Sequence, residues 1–196
     1  MMTKKEKRRV PELRFDGFEG EWEKRTIENI LTIGSGKDYK HLQEGDIPVY
    51  GTGGLMTKVN DYLYDGESIG IGRKGTIDKP QFVEVPFWAV DTTYYTIINE
   101  DLVLPYYFFL LINTIDFNKY KYGSAVPSMT QEVLKEILFA IPSLLEQEVI
   151  VHHIESECSR IDFKKARTEE LIELLTEYRT ALVSEAVTGK INVTED

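Results

Sequence analysis

A single cysteine, Cys158, stands among the 196 residues, which excludes an intrachain disulfide framework and suits a reducing compartment. No apolar run approaches the ~20 residues that a membrane-spanning helix needs. The basic opening, Met1 to Arg9, leads into Val10-Pro11-Glu12-Leu13 and not into the apolar stretch of a secretory signal. These absences predict a cytoplasmic protein with no membrane partner. Histidine is scarce as well. His152 and His153 are neighbours, so on a helix they diverge by about 100° and cannot chelate one metal ion. His41 has no ligand-like neighbours, so neither a metal site nor a cofactor is expected. Cys158 lies one turn from Ile154 and Ile161, as a packed thiol would. No serine, cysteine or carboxylate constellation points to catalysis.

Positive charge is also in short supply: 23 Lys and Arg face 33 Asp and Glu, a net charge of −10. A binder of nucleic acid is usually basic, but the acids are unevenly spread. Ser143 to Thr180 holds nine acids and five bases, whereas Gly34 to Pro80 holds seven and six. Local basic loops are therefore compatible with the total. Any phosphate affinity of the chain alone should be weak, with a partner supplying much of it.

What the sequence does have is two regions of different period. From about Trp22 to Ile141, short β-branched and aromatic runs alternate with turn signals: Ile47 to Tyr50, Val59 to Tyr64, Ser68 to Ile71, Gln81 to Val85 and Tyr94 to Ile98. Asp65-Gly66 reads as a hairpin turn. Pro105 sits at the first position of a helix running to Ile115, where no amide donor is required. Thr130 caps a short helix through Ile137. The prediction is an α+β fold, a twisted and partly closed β-rich domain over residues 1–142. After Pro142, Ser143-Leu144-Leu145-Glu146 fits a capping box, in which serine and glutamate each satisfy an orphan amide. No proline or glycine interrupts the chain from there to Val187. Ile154, Ile161, Thr168, Leu175 and Leu182 recur every seven residues, with Leu171 and Tyr178 on the companion seam and Glu157, Lys164 and Glu185 as charged exceptions. Sustained heptads predict a coiled coil over residues 143–189, about 60 Å long, ended by Gly189 and followed by a short tail, 190–196. One helix of that length needs a partner to cover its seam, and the expected partner is a second copy.

Two glycine motifs fail as nucleotide sites. Gly70-Ile71-Gly72-Arg73-Lys74-Gly75 has the letters of a dinucleotide fingerprint, but Pro80 blocks the helix that must follow. It reads instead as a tight loop presenting Arg73 and Lys74, with glycines that let its backbone approach a surface such as DNA. Gly34-Ser35-Gly36-Lys37 lacks the first glycine and the magnesium-binding hydroxyl of a phosphate loop. It is either a flexible loop or a DNA-contacting one with Lys37, Tyr39 and Lys40. Asn118-Lys119-Tyr120-Lys121-Tyr122-Gly123-Ser124 alternates bases with aromatics and contains no acid. Bases neutralise phosphates and aromatics stack on nucleobases, yet an amphipathic edge strand or a solvated loop would read the same way.

Taken in order, these segments resemble the specificity subunit of Type I restriction-modification enzymes. Val10-Pro11-Glu12-Leu13-Arg14-Phe15 with Glu21-Trp22 is similar to the family's opening. Tyr50-Gly51-Thr52-Gly53-Gly54, Ile71-Gly72-Arg73-Lys74-Gly75-Thr76 and Phe87-Trp88 with Asp91-Thr92 resemble its target-recognition domain. Gly123-Ser124-Ala125-Val126-Pro127-Ser128 matches a stretch before a short helix, Ile141 to Gln147 a boundary motif, and Val187-Thr188-Gly189-Lys190-Ile191 the usual C-terminus. The resemblance implies a non-catalytic, sequence-specific binder of double-stranded DNA that serves as scaffold for methyltransferase and restriction subunits. A full subunit has two recognition domains on two antiparallel helices; one domain and one helix imply a homodimer on an interrupted palindrome. The residues expected on DNA are Lys37, Tyr39, Lys40, Tyr50, Thr52, Arg73, Lys74, Lys119, Lys121, Tyr122, Ser124 and Ser128. Those expected at the dimer seam are Ile154, Ile161, Thr168, Leu171, Leu175, Tyr178 and Leu182. The alternative is an acidic, non-enzymatic interaction protein, a DNA mimic or assembly adaptor, which the net charge suits.

Overall fold

The computed structural model describes residues 10–123 and 126–191. Ser124, one of the expected DNA contacts, lies outside the described residues. Two compact units are resolved, Met1–Val151 and His152–Asp196, so the division falls inside the last helix and not at Pro142.

Three small sheets build the first unit. The largest is antiparallel, in the order β2 (Leu31–Ser35), β8 (Thr93–Ile98), β5 (Ser68–Gly72) and β6 (Gln81–Val83). A second joins β4 (Gly54–Val59), β3 (Ile47–Gly51) and β7 (Trp88–Ala89), with β3 and β7 parallel. β1 (Glu23–Thr26) pairs with β9 (Leu138–Ile141) and so ties the two ends of the unit together. None of the sheets closes into a barrel. All five residues of β5 are buried, which is why Ser68-Ile69-Gly70-Ile71-Gly72 reads as small and aliphatic without alternation.

Apolar burial explains the helices. α1 (Ile27–Ile30) buries both of its isoleucines. α2 (Pro105–Ile112) has Pro105 at its first turn and ends three residues earlier than the sequence implies. It buries Tyr107, Phe108 and Ile112, and the rings of Tyr106 and Phe109 lie 5.3 and 5.6 Å from that of Phe82 on β6. α3 (Gln131–Lys135) starts where Thr130 Oγ1 accepts the Val133 amide at 3.4 Å. The main core gathers Ile30, Ile69, Ile71, Phe108, Ile112 and Leu134, all within 1% of complete burial. A second cluster centres on Val49, Val59, Trp88 and Val90, and a third on Val83, Phe87 and Ala89.

β5 and β8 share only two backbone pairs, Ile71–Tyr94 and Gly72–Thr93. Hydroxyls continue the ladder. Ser68 Oγ donates to the Thr96 carbonyl at 2.7 Å and accepts the Thr96 amide at 3.0 Å, while Thr96 Oγ1 accepts the Ile69 amide at 2.8 Å. Buried polar groups are tolerated when paired in this way.

Two sequence expectations are corrected here. The run Val59 to Tyr64 is not a strand: β4 precedes it, and only Tyr64 pairs beyond, in an isolated bridge to Phe87. The cause is the turn through Thr52, Gly53 and Gly54, where Gly54 takes φ +115°, so the hairpin forms one segment earlier. Asp65-Gly66 is likewise no hairpin. Gly66 does adopt φ +144°, but β4 and β5, on either side, lie in different sheets.

α4 (Leu144–Val187) is one unbroken helix of 44 residues, about 66 Å at ~1.5 Å per residue. Its capping box is half made. Ser143 Oγ accepts the Glu146 amide at 3.3 Å, but the Glu146 carboxylate turns away from the helix start. It is 1% exposed and accepts from Arg14 Nε and Nη2 at 2.8 and 2.7 Å and from Trp22 Nε1 at 3.2 Å. A guanidinium fork offers two charge-assisted bonds against the single amide of the box. The Glu146 pairing also raises the Arg14 pKa further above its ordinary value. Next to it, buried Gln147 accepts from the Leu104 amide at 2.8 Å and donates to the Leu102 and Pro142 carbonyls, each at 3.0 Å. Gly189 (φ +68°) closes the helix, with the Lys190 amide reaching the Glu185 carbonyl at 2.8 Å.

Every residue from Cys158 to Glu185 is exposed on the single chain. Cys158 is thus not packed, because it lies on a stretch of helix that no other part of the chain covers among the described residues. Ile161, Leu171, Leu175 and Tyr178 are all more than half exposed and Leu182 is 43% exposed. Thr168 settles its hydroxyl on the Lys164 carbonyl at 2.8 Å, and Glu157, on the seam, pairs with Arg160 of its own helix. Ile172, Leu174 and Val183 are exposed too and widen the apolar stripe beyond the expected heptad seam. Among the described residues no helix is long and apolar enough to cross a membrane.

Candidate nucleic-acid interface

Antiparallel pairing brings the two failed glycine motifs to one place. Ser35 at the end of β2 pairs with Tyr94 at the start of β8, and Tyr94 also pairs with Ile71 near the end of β5. The segments Gly36-Lys37, Asp91-Thr92 and Arg73-Lys74 therefore leave the same end of one sheet. Backbone bonds fix them there. The Gly36 amide donates to the Thr93 carbonyl, the Lys37 amide to the Ala89 carbonyl and the Arg73 amide to the Thr92 carbonyl, at 2.7–2.9 Å. Lys37, Lys40, Arg73 and Lys74 are exposed.

The segment before α3 joins this edge. Ser128 bridges both Lys74 and Tyr122, and the Met129 amide donates to the Arg73 carbonyl at 3.0 Å. Gln131 Nε2 donates to Ser35 Oγ at 2.9 Å. A depression of about 280 Å³ results, lined by Ser35, Arg73, Tyr94, Tyr122, Gln131 and Glu132 among others. The Arg73 guanidinium lies 6.0 Å from the centre of the Tyr94 ring, at the limit of a cation–π contact. Burial raises the Tyr94 pKa. Backbone and Thr130 hydrogen bonds hold Glu132 below the usual carboxylate range, so it is charged. A second depression, about 520 Å³, contains Lys40, Thr52, Met56, Asp91 and Thr92. Both depressions mix charges, Arg73 with Glu132 in the first and Lys40 with Asp38 and Asp91 in the second.

Lys37, Tyr39, Lys40, Arg73 and Lys74 thus share one sheet end and its loops; Tyr122 and Ser128 join it from the segment before α3, and Thr52 from the β3–β4 turn of the second sheet. Tyr50 sits apart in role: its ring is half-buried and packs edge-on to Phe87 at 6.3 Å. Lys119 and Lys121 line neither depression, and Lys119 faces Asp116 at 4.0 Å. Asn118 holds the Asp116 carboxyl below its usual pKa. His41 packs edge-on to Trp88 at 5.7 Å. Among the described residues no three His, Cys, Asp or Glu side chains gather as a metal site.

Gly72 and Gly36 are required by the chain's own backbone. A Cβ on Gly72 would lie 2.0 Å from the Thr76 carbonyl oxygen, and one on Gly36 would lie 2.0 Å from that of Val90. Both crowd the chain's own backbone. Sequence reasoning also missed the place of Met56 in the second depression and the Arg14–Trp22–Glu146 cluster. Met56 carries no recognisable local motif, and the cluster joins residues 124 to 132 positions apart.

A family model, the Type I restriction modification DNA specificity domain, matches residues 19–173. The chain belongs to that family. Similar curated proteins include two Escherichia coli specificity subunits. That of the Type I restriction enzyme EcoDI is 20% identical over 175 residues, 87% of this chain and 39% of the relative. That of EcoBI is 30% identical over 66 residues, 34% of this chain and 14% of the relative. The fold is similar to that of a Type I restriction-modification S subunit from M. genitalium, with TM-score 0.65 and 16% identity over 90% of this chain and 48% of that one. It also resembles the HsdS subunit of Thermoanaerobacter tengcongensis, with TM-score 0.62 and 12% identity over 93% of this chain and 48% of the other. This specificity-domain chain therefore spans about half the length of the subunits it resembles. Its mixed α+β architecture and long C-terminal helix agree with theirs.

Proposed function

We propose that the chain is a non-catalytic DNA-recognition subunit of a Type I restriction-modification complex, acting as a cytoplasmic homodimer. Its sheet end at Lys37, Lys40, Thr52, Arg73 and Lys74 faces double-stranded DNA and reads half of a bipartite site. Methyltransferase and restriction subunits assemble on it and supply the chemistry. The observation that carries the reading is the family match over residues 19–173, together with convergence of the two basic glycine loops on one sheet end. Homodimer formation is supported by Ile161, Leu171, Leu175 and Tyr178, apolar side chains more than half exposed on one helix, which is unfavourable unless covered. With like helices, a parallel pairing would set Glu157, Lys164 and Glu185 opposite their own copies, so the antiparallel arrangement is favoured.

The acidic-adaptor alternative draws on the net charge of −10, but Ser143 to Thr180 carries nine acids against five bases, whereas the sheet end sets Lys37, Lys40, Arg73 and Lys74 beside Asp38, Asp91 and Glu132. Methylated-base mapping in a host carrying this chain and a cognate methyltransferase subunit separates the two. The recognition reading expects modification at one interrupted motif that disappears when the chain is deleted. Unchanged modification on deletion overturns it.

A further inference from the structure

The β3–β4 hairpin contains an irregularity with a chemical result. Val49 pairs with Thr57 and Tyr50 with Leu55, so Met56 is an extra residue without a partner on β3. Such a bulge re-aims a side chain and is common beside functional sites. Here it leaves two consecutive apolar side chains, Leu55 and Met56, 59% and 56% exposed on an edge strand. Their fates differ. Met56 lines the depression that holds Lys40, Thr52, Asp91 and Thr92; Leu55 does not. Gly51 makes the seat for it, because a Cβ there would lie 2.6 Å from the Met56 sulfur. The neighbouring depression, about 700 Å³, shares Lys40 and adds Lys58, also exposed. An unbranched thioether is thus held by a bulge and a glycine in a groove where Lys40 stands beside Asp38 and Asp91, with Lys58, Glu44 and Asp46 in the neighbouring depression.

We propose that Met56 is a specificity-determining residue that contacts the 5-methyl group of one thymine in the DNA major groove. This rests on the recognition reading above. A two-stranded β-ribbon fits the major groove, and the thymine methyl is the one apolar feature that the four base pairs present there. The methyl is also what a polarizable, adaptable thioether is suited to cover. Lys40 and Lys58 flank the same ribbon, where they can meet the phosphates.

The test uses the full chain assembled with a cognate methyltransferase subunit. Selection from random-sequence duplexes first gives the bound site, and each thymine in it is then replaced singly by deoxyuridine, which lacks only the methyl. For the wild type, one replacement should weaken binding about fourfold, the value of one methyl group removed from water. Met56→Ala should bind the thymine and uracil duplexes equally, while Leu55→Ala keeps the wild-type discrimination. Both side chains are exposed, so neither change threatens folding. Uracil discrimination that persists in Met56→Ala, that vanishes equally in Leu55→Ala, or that is absent from the wild type overturns the assignment and leaves the recognition reading standing. Selection that yields no sequence preference at all overturns the recognition reading itself.

Discussion

Thr93 and Thr96 lie on the same strand, both at most 1% exposed, yet their hydroxyls differ in what they do. Thr96 Oγ1 accepts the Ile69 amide, whereas Thr93 Oγ1 has no hydrogen-bond partner among the described residues. Removing a paired buried acceptor strands its donor, but removing an unpaired one costs nothing. Thr96→Val should therefore lower stability by about 2 kcal/mol, and Thr93→Val should leave it unchanged or raise it. Urea unfolding of the two variants reads both; equal destabilisation would contradict the pairing described. Gln147 is the corresponding case at the start of α4. Gln147→Leu keeps the volume but strands the Leu104 amide and two carbonyls, and should cost about 3 kcal/mol. At the DNA edge, Lys74→Ala should reduce the slope of log affinity against log salt by about one unit without altering site preference. A changed preference would mean that Lys74 reads a base.

Elements were legible in proportion to how locally they are specified. The strands near Ile47, Ser68, Gln81 and Tyr94, the Pro105 start, the Thr130 cap and the Gly189 stop all follow from short-range chemistry. What the sequence did not disclose was long-range. Glu146 fitted a capping box by spacing, but Arg14, 132 positions away, captures its carboxylate. Likewise, β4 falls before the expected Val59 to Tyr64 run, and its Met56 bulge depends on register with β3. The two basic glycine loops were each recognised, while their meeting at one sheet end required the β2–β8–β5 pairing. The unbroken α4 was legible because its heptads and its stop are local, and Ile172 and Leu174 add exposed apolar side chains beside the expected seam. Leu175 is the seam's test: it is 57% exposed on the single chain and should be buried in the dimer. Leu175→Asp would bury an unpaired carboxylate, which costs several kcal/mol. Light scattering at micromolar concentration should show a dimer for the wild type and a monomer for the variant. A monomeric wild type would remove the homodimer from the proposal.

At the scale of the whole assembly, symmetry converts a half-length chain into a statement about DNA. Two identical copies paired through α4, as proposed above, would be related by a two-fold axis, and each would present the same sheet end to the duplex. Protein two-fold symmetry is mirrored in the bound sequence, so the two half-sites should be identical and inverted. Full-length subunits with two different domains have no such constraint. The gap between half-sites should then be set by the helix pair, because its length fixes the separation of the domains. One extra heptad inserted in α4, between Arg167 and Leu175, keeps the seam in phase and lengthens the helix by about 10 Å. That corresponds to roughly three base pairs at ~3.4 Å each. Methylated-base mapping on complexes built with the native and lengthened helices should return the same inverted half-sites with the spacer longer by about three base pairs. Two unrelated half-sites would show that the chain pairs with a different subunit, and an unchanged spacer would show that α4 does not set the distance.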